Sequence, residues 1–166
     1  MDAPVTKARF LDTLAQERAA WDALLAEVPT TRLEEPGPAG AWSIKDVIAH
    51  VTAYERWTLR RLEIGRRGEP YERAPIDAIE DVDARNAAYQ AQNAGRALAD
   101  IRAESDRVYA GLRALVEAAP DSALTDPAYF GLPADIVPWE LIAGNGYEHY
   151  HEHIPGIRAW LDAVPA

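Results

Sequence analysis

Prolines and glycines cut this chain into four long stretches, and each stretch carries apolar residues at helical spacing. From Thr6 to Val28 the residues Phe10, Leu14, Trp21, Leu25 and Val28 recur at intervals of 4, 7, 4 and 3, as one buried face of a helix requires. Pro29 stops that helix. Pro36, Gly37, Pro38 and Gly40 then make a loop in which neither helix nor strand is expected to propagate. The second stretch has Ser43 as N-cap, Asp46 at N3 and the apolar pair Trp42 and Val47 at N′ and N4, a capping box with a hydrophobic staple. Ile44, Val47, Val51, Tyr54, Thr58 and Leu62 hold its stripe, which ends near Gly65 or Gly68.

The stretch from Gly65 to about Asp81 contains Gly68, Pro70 and Pro75 and reads as a long connection. At roughly 3.3 Å per extended residue it reaches about 55 Å, enough for a crossover along a bundle. A third helix is predicted from Val82 to Ala119, broken or kinked near Gly95, and Pro120 ends it. After Pro127, Gly131 and Pro133, Pro138 suits the first position of a fourth helix running to about Asp162. Pro155 lies inside it and removes the bond to the His151 carbonyl, so a bend is expected there. No segment shows sustained strand alternation and no sequence repeat is present. Four one-sided helices bury their stripes against one another, which predicts an all-α four-helix bundle as a single domain over 1–166.

Lys and Arg total 17 against 27 Asp and Glu, a formal charge of −10. With no basic cluster beyond the pairs Arg60-Arg61 and Arg66-Arg67, this argues against nucleic acid as a partner. No apolar run approaches the roughly 20 residues needed to cross a bilayer, and no signal-peptide pattern opens the chain. A cytoplasmic protein without membrane partners is expected. The absence of cysteine excludes disulfides, thiolate metal sites and a cysteine nucleophile, so any thiol chemistry borrows its sulfur from a small molecule. A homodimer is compatible with a bundle of this kind, although no heptad seam specifies one.

Four histidines carry the chemical signal. At about 100° per residue, with Ile142 as zero, His149 falls near −20° and His153 near +20°, both toward the core, while His151 points to solvent. On the second helix, with Val47 as zero, His50 lies near −60°, at the border of the stripe. Two imidazoles one turn apart, with a third from another helix, form the pattern by which helices hold a divalent ion. Satisfied buried histidines are the ordinary reading of the same residues.

The run Trp42-Ser43-Ile44-Lys45-Asp46-Val47-Ile48-Ala49-His50-Val51, with His149-Tyr150-His151-Glu152-His153-Ile154 about a hundred residues later, resembles the two signatures of DinB-like proteins. Asn86 before Tyr89, and the helix from Leu98 to Leu115, resemble the branch containing the colibactin self-protection proteins. The resemblance implies a DinB-like four-helix bundle with a long crossover between helices 2 and 3. It also implies a divalent metal on His50, His149 and His153. Thiol-dependent transferases, isomerases and a hydrolase that opens an electrophilic ring occur in the family.

Three neutral imidazoles suit zinc or nickel better than magnesium or calcium, and they leave an open position for chemistry. Such an ion activates water at neutral pH or holds the sulfur of a low-molecular-weight thiol cosubstrate, and either route attacks an electrophile. The expected activity is therefore metal-dependent hydrolysis or thiol S-transfer on a small-molecule substrate, with detoxification as its expected setting. A bundle that only binds or sequesters a small molecule is the alternative. Glu152 and Glu148 flank the histidine pair and either orient a ring, act as a base or line a solvated edge. Tyr54, one turn beyond His50, donates to a developing negative charge or simply packs. Trp42 is a candidate pocket wall, and Tyr129 and Phe130 are candidate covers for the site.

Overall fold

Helix α1 (Lys7–Glu27) begins where the Thr6 side chain accepts a hydrogen bond from the Arg9 amide. The chain is described by a computed structural model over residues 6–163, so the expected domain span of 1–166 extends beyond the described residues at both ends. After a short 3₁₀ turn, β1 (Pro36–Ala39) pairs antiparallel with β2 (Trp42–Ser43). Helix α2 (Ile44–Arg66) follows, and a connection leads to α3 (Val82–Asn93) and α4 (Leu98–Ala118). Two further 3₁₀ turns precede α5 (Pro138–Asn145) and α6 (Tyr147–Asp162). The architecture is the DinB-like helical bundle: α1, α2, α4 and the α5–α6 pair enclose the core, with the crossover and α3 beside α2.

The capping box opens α2 as its residue types require. Ser43 Oγ accepts from the Asp46 amide at 3.2 Å, and Asp46 Oδ2 accepts from the Ser43 amide at 2.9 Å. This reciprocal pair satisfies two otherwise orphaned donors and fixes the helix phase from its first turn. His50, two turns in, inherits that phase.

Two local expectations need correction, and one is met. The Pro36 to Ala39 loop forms a short strand after all, because proline is tolerated on an edge strand and Gly40, at φ +65°, makes the turn. The break expected near Gly95 is present and divides the third stretch into two helices, α3 and α4, separated at Ala94 to Ala97. In the fourth, the interruption falls at Gly146 and the helix continues through Pro155. Gly146 has φ −108° and ψ −111°, and a Cβ there would lie 2.8 Å from the Ile142 carbonyl oxygen. Glycine is the residue that permits this join.

The apolar interior is divided. One cluster gathers Trp21, Leu24, Val47, Ile48, Val51, Ile101 and Ile157, and the other Phe10, Leu14, Leu62, Leu115, Leu124, Phe130 and Ile142. Between Val51 and Leu62 on α2 stand the buried polar residues Glu55 and Thr58. Glu55 accepts a hydrogen bond from the Tyr150 hydroxyl, and its Oε2 is buried without a partner. Among the described residues no helix is long and apolar enough to cross a membrane.

Near the end of α2, Gly65 lies against the backbone of the Pro127–Phe130 turn. A Cβ there would stand 1.7 Å from the Phe130 carbonyl oxygen. Gly65→Ala is expected to destabilise the protein by about 3 kcal/mol, the upper range for overpacking, because the opposing atom is backbone and cannot rotate away. Urea unfolding checks this; a loss below about 0.5 kcal/mol, the range of an ordinary surface substitution, would contradict the close approach.

Candidate metal centre

His50 of α2 and His149 and His153 of α6 meet at one point. Their candidate donor nitrogens lie within 4.8 Å of one another, and His50 Nε2 and His149 Nε2 are 2.9 Å apart. His50 and His149 are buried and His153 is half-buried. The His153 Nε2 atom is itself inaccessible and has no hydrogen-bond partner. The capping box sets the phase of α2 that turns His50 inward, and the one-turn separation on α6 stacks the other two rings on the facing side. Trp42 and Tyr54 meet the His50 ring edge-on, with centroids at 4.9 and 5.1 Å. These rings fix the orientation of His50, whose Nδ1 is buried without a partner.

The electrostatics favour neutral rings. Burial, reinforced by the neighbouring His149 and His153, lowers His50 to about 3. Burial and then His153 lower His149 to about 4, and burial also lowers His153, against a weaker opposing effect of Glu152. All three are therefore unprotonated near neutral pH, with lone pairs available as ligands. The unpartnered His153 Nε2, beside the His50 Nε2 and His149 Nε2 pair at 2.9 Å, gives a donor set that fits a divalent transition ion, which these residues could hold.

A cavity of about 490 Å³ opens beside the trio, with Trp42, Tyr54, Arg85, Asn86 and Glu152 among its walls. Tyr54 donates to Asn86 Oδ1 at 2.8 Å, and Arg85 Nε approaches the Tyr54 hydroxyl at 3.3 Å. Glu152 is exposed on the cavity wall, and Glu148 is exposed outside it. His151 stands apart and binds Glu17 of α1 at 2.7 Å. Tyr129 and Phe130 do not cover the site. Phe130 is 1% exposed in the other apolar cluster, held there by the approach of its backbone to Gly65.

Arg85, Asn145 and Glu55 escape the sequence reading. Arg85 and Asn145 line the cavity from α3 and α5, whose placement depends on the crossover and on the Gly146 break. Glu55 had a visible signal, since it stands four residues after Val51 on the helix that carries the core stripe.

The model of the DinB superfamily matches residues 4–154. The chain belongs to the DinB superfamily. None of the curated proteins compared with it matches. Among solved structures, a Streptococcus pneumoniae protein is 13% identical with a TM-score of 0.84, over 99% of this chain and 95% of that one. The colibactin self-resistance protein ClbS, crystallised with double-stranded DNA, is 12% identical with a TM-score of 0.81, over 99% of this chain and all of that one. The sibling lethal factor precursor DfsB is 13% identical with a TM-score of 0.81, over 96% and 97%. At these identities the likeness establishes a shared DinB fold.

The ClbS complex corrects one expectation. A DinB-superfamily bundle accommodates double-stranded DNA, so the exclusion of nucleic acid drawn from the net charge of −10 and the lack of a basic cluster along the sequence does not stand. Net charge is a sum over the whole surface, whereas phosphate contacts use one patch of it.

Proposed function

We propose that this protein is a metal-dependent enzyme that acts on a small electrophilic molecule by hydrolysis or by transfer of an external thiol. One observation carries the reading: three histidines held neutral by burial converge from two helices on the wall of a substrate-sized cavity. His50, His149 and His153 would hold the ion, zinc or nickel being suited to an all-nitrogen set. When bound, the ion would supply Lewis acidity toward the electrophile or toward the sulfur of a low-molecular-weight thiol.

The chain's own residues are arranged for the remaining tasks. The Tyr54 hydroxyl accepts from Arg85 and, on releasing Asn86 Oδ1, would donate to negative charge developing on a substrate in the cavity. Glu152 is a carboxylate on the same wall, free to accept a proton from water or thiol. The self-resistance role of ClbS supports action on a reactive small molecule, and its complex makes double-stranded DNA a further partner to assay.

The test is turnover. Zinc- or nickel-loaded protein and metal-depleted protein are incubated with epoxides and α,β-unsaturated carbonyls, with and without low-molecular-weight thiols, and products are read by mass spectrometry. Product is expected only with the loaded protein, and Tyr54→Phe and Glu152→Gln should each lower the rate by about 10- to 100-fold. Saturable binding without product under every condition would favour the alternative, a non-catalytic bundle that sequesters its ligand.

A further inference from the structure

A second chamber of about 270 Å³ adjoins the cavity beside the histidines, and the two share Tyr54, Arg85 and Asn145. Arg85 therefore stands on the wall common to both. Its Nη1 donates to the Ile79 carbonyl at 2.9 Å and its Nε approaches the Tyr54 hydroxyl at 3.3 Å. These contacts hold the guanidinium in place without neutralising it.

Most of the well-held arginines of the molecule have a carboxylate. Arg18 reaches Asp22 and Asp106, Arg56 and Arg96 share Glu104, and Arg32 binds Glu35. Among the described residues, two half-buried arginines have no carboxylate within salt-bridge distance, Arg61 and Arg85. Arg61 is directed to the Gly131 carbonyl, outside either chamber. Arg85 alone of the two faces them. The acids on the two walls are not paired with it: Glu152 is exposed on the wall of the larger cavity, and Asp77, on the wall of the second chamber, accepts from the Tyr89 hydroxyl.

We propose that Arg85 is the specificity residue for a substrate bearing a carboxylate, held on the wall between the chambers while the reacting end lies at the histidines. This rests on the reading of the larger cavity as the substrate site. A partly desolvated guanidinium gains most from a planar anion that accepts two of its N–H groups, and an amide or alcohol leaves that charge unmatched. The surrounding molecule, at a net −10, repels anions at long range, so retention of one needs a fixed local cation. Arg73, exposed on the wall of the second chamber, adds a further positive group for a longer or dianionic ligand.

The test uses metal-free protein, so that it does not depend on an ion. Binding of 3-phenylpropionate and of 3-phenylpropionamide, matched in shape and different in charge, is followed by NMR titration. The acid is expected to bind about tenfold more tightly, the size of one charge-assisted hydrogen bond. Arg85→Gln should abolish that preference, and in the wild type the Arg85 Nε resonance should move with the acid and not with the amide, a readout that survives if the variant fails to fold. Because the preference is read without metal, its loss and the failure of the metal reading are separate results. Equal affinity for acid and amide, no saturable binding of the acid, an unmoved Arg85 resonance, or a preference that persists in Arg85→Gln would overturn it.

Discussion

His153→Ala is expected to lower zinc affinity by more than about 100-fold, beyond the 10- to 100-fold lost when only a supporting group is removed. The reason lies in the number of donors. Three rings meet within 4.8 Å, and removing one leaves a two-nitrogen set on the wall of a water-accessible cavity. His149→Ala should behave alike, and His151→Ala, whose ring binds Glu17 of α1 instead, should keep wild-type affinity. Metal analysis of untagged protein, followed by competition titration, provides the measurement. Wild-type protein holding less than about a tenth of an equivalent, or variants indistinguishable from it, would remove the metal centre from consideration.

Glu55→Gln should stabilise the protein at pH 8 by about 3 kcal/mol and change it little at pH 4. Glu55 is 1% exposed, and burial, only partly opposed by the Tyr150 hydrogen bond and the charge of Arg18, raises its carboxyl to about 7 from an unfolded value of 4.5. The folded state therefore prefers the protonated acid. Its favourable contribution is complete below the unfolded value and is lost as pH rises through about 7, at about 1.4 kcal/mol for each pH unit of the window. The histidines act in the opposite sense. Their lowered values give stability that is present above 6.5 and lost as pH falls toward about 4 for His149 and about 3 for His50. The wild-type profile mixes both effects, whereas the difference between wild type and Glu55→Gln isolates the carboxyl. A difference that is flat between pH 4 and 8 in urea unfolding would show that Glu55 is not held in its neutral form.

Much of the histidine geometry was legible because helices translate spacing into direction. The capping box at Ser43 and Asp46 fixed where α2 begins, and the four-residue interval from His149 to His153 placed two rings on one side. The break at Gly146 was hidden, since the apolar face from Ile142 to Ile157 keeps its phase across it and Pro155 offered a more conspicuous reason for a bend. Gly95 gave only a weak signal, as a single glycine inside a helical pattern costs about 1 kcal/mol and need not end it. Arg85 could not be found from local pattern. Its importance comes from what the crossover brings beside it, the Tyr54 hydroxyl of another helix and the carbonyl of Ile79. The charge argument against DNA failed for a related reason: neither a whole-chain sum nor a scan for adjacent basic residues shows which charges the fold brings to one face.

The belt of Glu55 and Thr58 across α2 has a consequence for how the molecule tolerates change. The histidines sit with the cluster of Trp21, Val47 and Val51, while Phe10, Leu62 and Phe130 lock the opposite end. A substitution beside the histidines is thereby expected to act nearly independently of one beside Leu62 and Phe130, so the two ends of the molecule can drift apart in sequence without disturbing each other.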